Sequence, residues 1–183
     1  LVGPPSAGNA AVTNGGGSIT SASAATLTST GGGTFTGTMN GSLSFTRSGN
    51  NTTTLFSDNT YTGTTTIRGG VLTLQQNGAL SLTSAINNYY GTINLDNTTN
   101  PINDINRVNT TAPLTLQGGT LAYLGYAGTD STQNIGAVAL QNGASTITAT
   151  RGTGGSAGLT LASLTPDAFS TVNFTTGAGV LGQ

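Results

Sequence analysis

The 183-residue chain contains no histidine, cysteine, lysine, glutamate or tryptophan. Without histidine there is no imidazole to activate a serine or cysteine nucleophile, and no imidazole metal ligand. Without cysteine there are no disulfides, zinc–thiolate clusters, iron–sulfur centres or thiol nucleophiles. The same absence suits a chain that crosses membranes before it folds. Without lysine there are no Schiff bases and no Lys–Asn isopeptide cross-links. Helices draw heavily on Lys and Glu, so their loss argues against a mainly helical protein. Charge is scarce: 5% of residues, all positive ones Arg (Arg47, Arg68, Arg107, Arg151) and all negative ones Asp (Asp58, Asp96, Asp104, Asp130, Asp167), for a net −1. That balance cannot support counterion-release binding to nucleic acid, which takes a basic face. No apolar run approaches the roughly 20 residues that cross a bilayer as a helix.

In place of these residues stand 29 Gly and an abundance of Ser, Asn and Thr, with Thr alone about a fifth of the chain. Sparse Leu, Ile, Val and Phe would fit disorder, but disordered chains usually also carry strong net charge. Alternation argues for folding. In Ser42-Leu43-Ser44-Phe45-Thr46, Thr92-Ile93-Asn94-Leu95-Asp96 and Thr171-Val172-Asn173-Phe174-Thr175, every second residue is apolar. A period of two puts apolar groups on one face of a strand and hydroxyls and amides on the other. Short strands separated by Gly and Asn indicate an all-β protein.

The pairs Leu72/Leu74, Ile93/Leu95, Leu114/Leu116, Val138/Leu140 and Leu159/Leu161 follow one another at about 21, 21, 24 and 21 residues, and one further step reaches Val180/Leu181. Leu74-Gln75-Gln76-Asn77-Gly78-Ala79 recurs as Leu140-Gln141-Asn142-Gly143-Ala144. This period is too short for a propeller blade and too long for a hairpin, and it fits one coil of a parallel β-helix. A β-sandwich remains the alternative, since it explains the strands without the period. The expectation is a single-stranded, right-handed parallel β-helix (β-solenoid) of about 21 residues per coil. About eight coils at the inter-strand spacing would make a rod on the order of 35–40 Å long. An extended segment is expected over 1–14 and the solenoid over 15–183. The aligned period predicts one core column, Leu74, Leu95, Leu116, Leu140 and Leu161. It also predicts one outer ladder, Gln75, Asp96, Gln117 and Gln141, whose stacked polar groups bond along the axis. Arg47 and Arg68 also stand one such period apart.

Between Phe35 and Ser81 the chain runs through Gly37-Thr38-Met39-Asn40-Gly41-Ser42-Leu43-Ser44-Phe45, Asn59-Thr60-Tyr61-Thr62-Gly63 and Gly69-Gly70-Val71-Leu72-Thr73-Leu74. In the order and spacing of these segments it resembles the autotransporter-associated β-strand repeat. The stretch from Gly91 to about Thr176 is similar to the regions flanking such repeats in large secreted bacterial surface proteins. The resemblance implies a right-handed parallel β-helix exported across a Gram-negative outer membrane, usually within a longer passenger. It names no ligand.

Gly154-Gly155-Ser156-Ala157-Gly158 spells a nucleophile elbow, but with no histidine in the chain it reads as a glycine-rich corner. Gly15-Gly16-Gly17-Ser18 and Gly31-Gly32-Gly33 lack the lysine of a phosphate loop and read as bends. Asp96 and Asp104 flank the Asn-rich loop 97–103. Two carboxylates about 5–10 Å apart could serve glycoside hydrolysis, and Asp and Asn oxygens could hold Ca²⁺; a solvated loop is the plainer reading. Tyr89-Tyr90 and Tyr123 with Tyr126 form either a sugar-stacking platform or, as favoured here, covers for the end of the core.

The sequence is therefore read as a structural, non-enzymatic segment of an extracellular bacterial stalk, sheath or filament, with no cofactor or metal. Leu1 is not Met and the pattern stops in mid-repeat, so a processed or excised piece is expected. Copies are expected to stack end to end or to exchange the N-terminal segment, with Leu1, Val2, Val180 and Leu181 as assembly edges. The alternative functions are an adhesin contacting glycans or a host surface and a polysaccharide-active enzyme.

Overall fold

The computed structural model describes residues 8–9, 16–99 and 106–177. Among them no helix forms. Sixteen strands follow one another: β1 (Gly8–Asn9), β2 (Ser18–Ser29), β3 (Gly33–Phe35), β4 (Thr38–Ser48), β5 (Thr52–Leu55), β6 (Thr60–Tyr61), β7 (Thr65–Arg68), β8 (Val71–Gln75), β9 (Ile86–Tyr89), β10 (Thr92–Asp96), β11 (Leu114–Gln117), β12 (Thr120–Leu124), β13 (Ser131–Gln141), β14 (Gly143–Thr150), β15 (Ala157–Pro166) and β16 (Ser170–Thr175). The chain deals them alternately into two sheets. One runs β1-β2-β4-β7-β9-β11-β13-β15, with β6 also on β4, and the other runs β3-β5-β8-β10-β12-β14-β16. Every pairing is parallel. The fold is a β-solenoid of about six turns with about 24 residues per turn.

The expected 21-residue coil holds for only part of the rod. Leu72 stacks on Ile93 at that interval, but Ile93 stacks on Leu121. The connection between β10 and β11 lengthens that coil, and later coils stay long, as Leu121↔Ile147 and Ile147↔Phe174 show. The longer coil also replaces the expected eight coils by about six.

This change of period splits the expected core column. Leu74 and Leu95 are vertical neighbours in the second sheet, but the residue above Leu95 is Tyr123. Leu116 belongs to the first sheet, where Leu140 lies above it and Asn88 below. Leu161 stacks on Ile135, in another column of that sheet. The cause is local sequence likeness: both faces carry Leu-x-Leu-type strands, so a 21-residue step from β10 lands on the wrong face of the next coil. The outer ladder divides in the same way, into Gln75 beside Asp96 and Gln117 beside Gln141. Arg47 and Arg68 are likewise one residue out of register: Arg47 faces Ile67, and Ser48 faces Arg68. Arg47 is therefore buried inside and Arg68 is exposed outside.

The interior is narrow and mixed. Leu55, Leu74, Leu95 and Tyr123 form one buried column, and Thr53, Leu72, Ile93, Leu121 and Ile147 another. Between them sit polar side chains, most of them paired as burial demands; Asn94 Oδ1 and Ser145 Oγ are buried atoms without a hydrogen-bond partner. Arg47 donates to the carbonyls of Ser29, Thr30, Ser48 and Asn51. Arg107 donates to the carbonyls of Gly78 (2.7 Å) and Gln76 (3.0 Å) and to Asn97 Oδ1. Both arginines therefore serve as internal staples for corner carbonyls, of which the Asn51 carbonyl also accepts from the Val71 amide of the next coil (3.1 Å). Burial draws the Arg47 guanidinium below its ordinary pKa, yet an arginine remains charged in proteins.

Bends within the long strands need special backbone. Gly41, inside β4, has φ +76°, and a Cβ there would stand 2.2 Å from the Ser21 carbonyl oxygen of the coil below. Only glycine fits so close a backbone approach. The β2–β4 register shifts just beyond it, between Ser21 and Ala25.

Tyr61 is fully buried, its hydroxyl 2.5 Å from Thr65 Oγ1, which lies 2.9 Å from Thr83 Oγ1. Burial pushes the phenol well above its ordinary pKa, an effect larger than the opposing hydrogen bonds. The folded state therefore keeps Tyr61 neutral where the unfolded chain ionises it, near pH 10. This contribution to stability is complete below about pH 10 and declines as pH rises further. Thermal melts should show the melting temperature falling between pH 9 and 11.5. Tyr61→Phe should flatten that fall while costing about 1 kcal/mol at pH 8 for the lost hydrogen bond. Parallel pH profiles for the two proteins would contradict this.

Candidate functional site

The strands of the first sheet end, coil after coil, at one corner of the rod. Register places Arg68 at the end of β7 beside Tyr89 at the end of β9, Tyr89 beside Gln117 of β11, and Gln117 beside Gln141 of β13. Each follows an inward-facing residue (Ile67, Asn88, Leu116, Leu140), so alternation turns all four outward. With Gly69 and Tyr90 they line an open groove of about 690 Å³. The Arg68 guanidinium lies 5.3 Å from the centre of the Tyr89 ring, within cation–π range.

In the four successive coils from β4 to β11 the residue after this position turns the corner in left-handed backbone: Gly49 (φ +86°), Gly69 (φ +81°), Tyr90 (φ +59°) and Gly118 (φ +63°). Three of these four stacked positions are glycine, and the exception is a tyrosine that is 67% exposed. Left-handed backbone costs a residue with a Cβ about 1–2 kcal/mol. Tyr90 is held there by its amide, which donates to the Gln117 carbonyl at 3.0 Å. Its ring leans on Gly118, where a Cβ would come within 2.7 Å of Cε1. The glycine above thus makes the seat for the ring below. A non-glycine residue kept in this conformation, with an exposed aromatic ring, is the kind of outlier that marks a working surface.

The remaining sequence candidates lie elsewhere. Gln75 Nε2 donates to Asp96 Oδ2 at 2.9 Å, one rung of the expected polar ladder. Asp96 also accepts from the Thr98 amide (2.8 Å) and hydroxyl (2.6 Å) and is buried. That is the setting of a loop-anchoring carboxylate. Asp104, its suggested partner, lies outside the described residues, as do Leu1, Val2, Val180 and Leu181. Among the described residues no three Asp side chains gather as a metal site would require. Ser156 sits at a glycine corner, its amide donating to Asp130 Oδ1 at 3.0 Å.

The tyrosines part company. Tyr123 is a core residue whose hydroxyl accepts from Asn97 Nδ2 at 3.3 Å, whereas Tyr89 and Tyr90 face outward and cover no core. Sequence reasoning picked out Tyr89-Tyr90, Gln117 and Gln141 separately but not their meeting, and it left Arg68 out of the site. The alternation Thr65-Thr66-Ile67-Arg68 would have placed Arg68 outward.

No protein-family model, curated protein or solved structure gives a significant match to the chain.

Replacing Tyr90 by glycine relieves the left-handed backbone, so Tyr90→Gly should raise the unfolding free energy by about 0.5–1 kcal/mol. Tyr90→Val, β-branched at the same φ, should lower it by more than about 1 kcal/mol. Equilibrium denaturation measures both, and an equal loss in the two variants would contradict the strain at this corner.

Proposed function

We propose that the chain is a structural β-solenoid segment of an extracellular bacterial surface stalk, sheath or filament, and that its C-terminal rung receives a further coil from a second copy. The supporting observation is the last described coil. Leu164 stacks on buried Val138, and Phe174 on buried Ile147, so both occupy core register. They are nevertheless 36% and 43% exposed, and Phe169 at the adjoining corner is 77% exposed. Among the described residues β15 and β16 are the last strands of their sheets, and neither carries a charge. Natural sheets block such edges with charge, proline or a covering element; in these two strands the one such residue is Pro166, at the very end of β15. A parallel edge over an open apolar core is suited to another coil, and a head-to-tail contact that does not close on itself builds a fibre. The resemblance of 35–81 to the autotransporter-associated repeat, with the near absence of charge and cysteine, supports the bacterial surface setting.

Light scattering and sedimentation over a concentration series should show mass rising with concentration, with rods one solenoid wide in negative stain. Leu164→Lys combined with Phe174→Lys should return the protein to monomer while leaving its circular dichroism unchanged. Monodisperse wild-type monomer at several mg/ml would overturn the stacking.

A further inference from the structure

We propose that the corner groove of Arg68, Tyr89, Tyr90, Gln117 and Gln141 binds a uronate-containing polysaccharide, laid along the solenoid axis. This site does not depend on end-to-end stacking. Its lining comes from four successive coils, so its groups recur at the ladder spacing of about 4.8 Å. That spacing is comparable to one sugar of an extended chain, and the groove therefore meets a polymer unit by unit.

Each lining group supplies one part of sugar chemistry. The Tyr90 ring, seated against Gly118 and exposed, offers a flat apolar surface of the kind on which the C–H face of a pyranose stacks. The Gln117 and Gln141 amides are in register and make no hydrogen bond among the described residues. Each offers a donor and an acceptor to the hydroxyl pairs of a sugar edge. The anionic preference comes from Arg68. Arg47 and Arg107 are consumed inside the rod as backbone staples, whereas Arg68 is exposed in the groove. Among the described residues no carboxylate pairs with it, and its guanidinium packs over the Tyr89 ring. A guanidinium held by an aromatic face keeps its outer N–H groups free for bidentate contact with a carboxylate. One cation set among amides and an aromatic ring suits a polymer with a carboxylate on some of its sugars. It does not suit a densely charged nucleic acid, which takes a basic stripe.

The test is isothermal titration calorimetry at low salt against oligomers of glucuronate, galacturonate, mannuronate and guluronate, each paired with its carboxyl-reduced neutral form. At least one uronate oligomer should bind, and its neutral counterpart at least tenfold more weakly. Arg68→Gln should abolish that preference while keeping the weaker neutral binding. Tyr90→Gly, whose folding is checked by its melt, should weaken both forms at least tenfold. No binding to any of the four uronate oligomers at millimolar concentration would overturn the proposal. So would equal affinity for acidic and neutral forms, or an unchanged affinity in Tyr90→Gly.

Discussion

The backbone hydrogen bond directed along the rod, from each coil to the coils above and below, is the interaction on which the rest depends. In a sandwich or helical bundle the main-chain bonds stay within a layer, and layers adhere through a thick apolar core. Here the bonds that make the sheets are the same bonds that join successive turns, so a thin interior is enough. This is why a chain that is only 34% hydrophobic orders into sixteen strands among its described residues. It is also why polar groups can be spent freely on corners and outer faces. Ladders such as Thr60 Oγ1 to Asn40 Oδ1 and Asn40 Nδ2 to Ser18 Oγ, at 2.7 and 2.8 Å, run in the same axial direction as the main chain.

The corners are where this arrangement is costly, since a turning main chain interrupts the regular axial ladder of hydrogen bonds. Three devices deal with them. Glycine adopts the left-handed backbone at Gly49, Gly69 and Gly118. Buried arginines cap the carbonyls around residues 48–51 and 76–78 from within. Buried Asn88 takes the Gly91 amide on its oxygen while donating to the Thr120 carbonyl, tying two coils together at one corner. Half of the chain's four positive charges are used in this internal way, which leaves its outer surface unusually poor in cations and gives Arg68 its weight.

Alternation within single strands was legible in the sequence, because burial on one face imposes a period of two whatever the larger fold. Stacking was partly legible: Leu72/Leu74 over Ile93/Leu95 is a true rung. The next step was not, because Leu114-Thr115-Leu116 carries the same local pattern as Leu121-Ala122-Tyr123, and only the length of the connection after Asp96 decides which of them lies above β10. A repeat read from apolar pairs cannot tell two faces of one coil apart when both are built from the same residues. The groove was legible in its parts, since Gln117 and Gln141 share a rung under either alignment. It was hidden as a whole because Arg68 and Tyr89 join it only in the true register. The left-handed conformation of Tyr90 left no mark in the sequence except a tyrosine standing where neighbouring coils have glycine.

Cysteine-pair cross-linking tests the axial register most directly, and a chain without native cysteine is well suited to it. Asn94 and Ala122 are lateral neighbours on the parallel strands β10 and β12, within the Cα separation a disulfide spans. The account predicts that Asn94→Cys with Ala122→Cys closes a disulfide on mild oxidation, whereas Asn94→Cys with Thr115→Cys, the pair a uniform 21-residue coil would bring together, stays reduced. Ready closure of the second pair and failure of the first would contradict it.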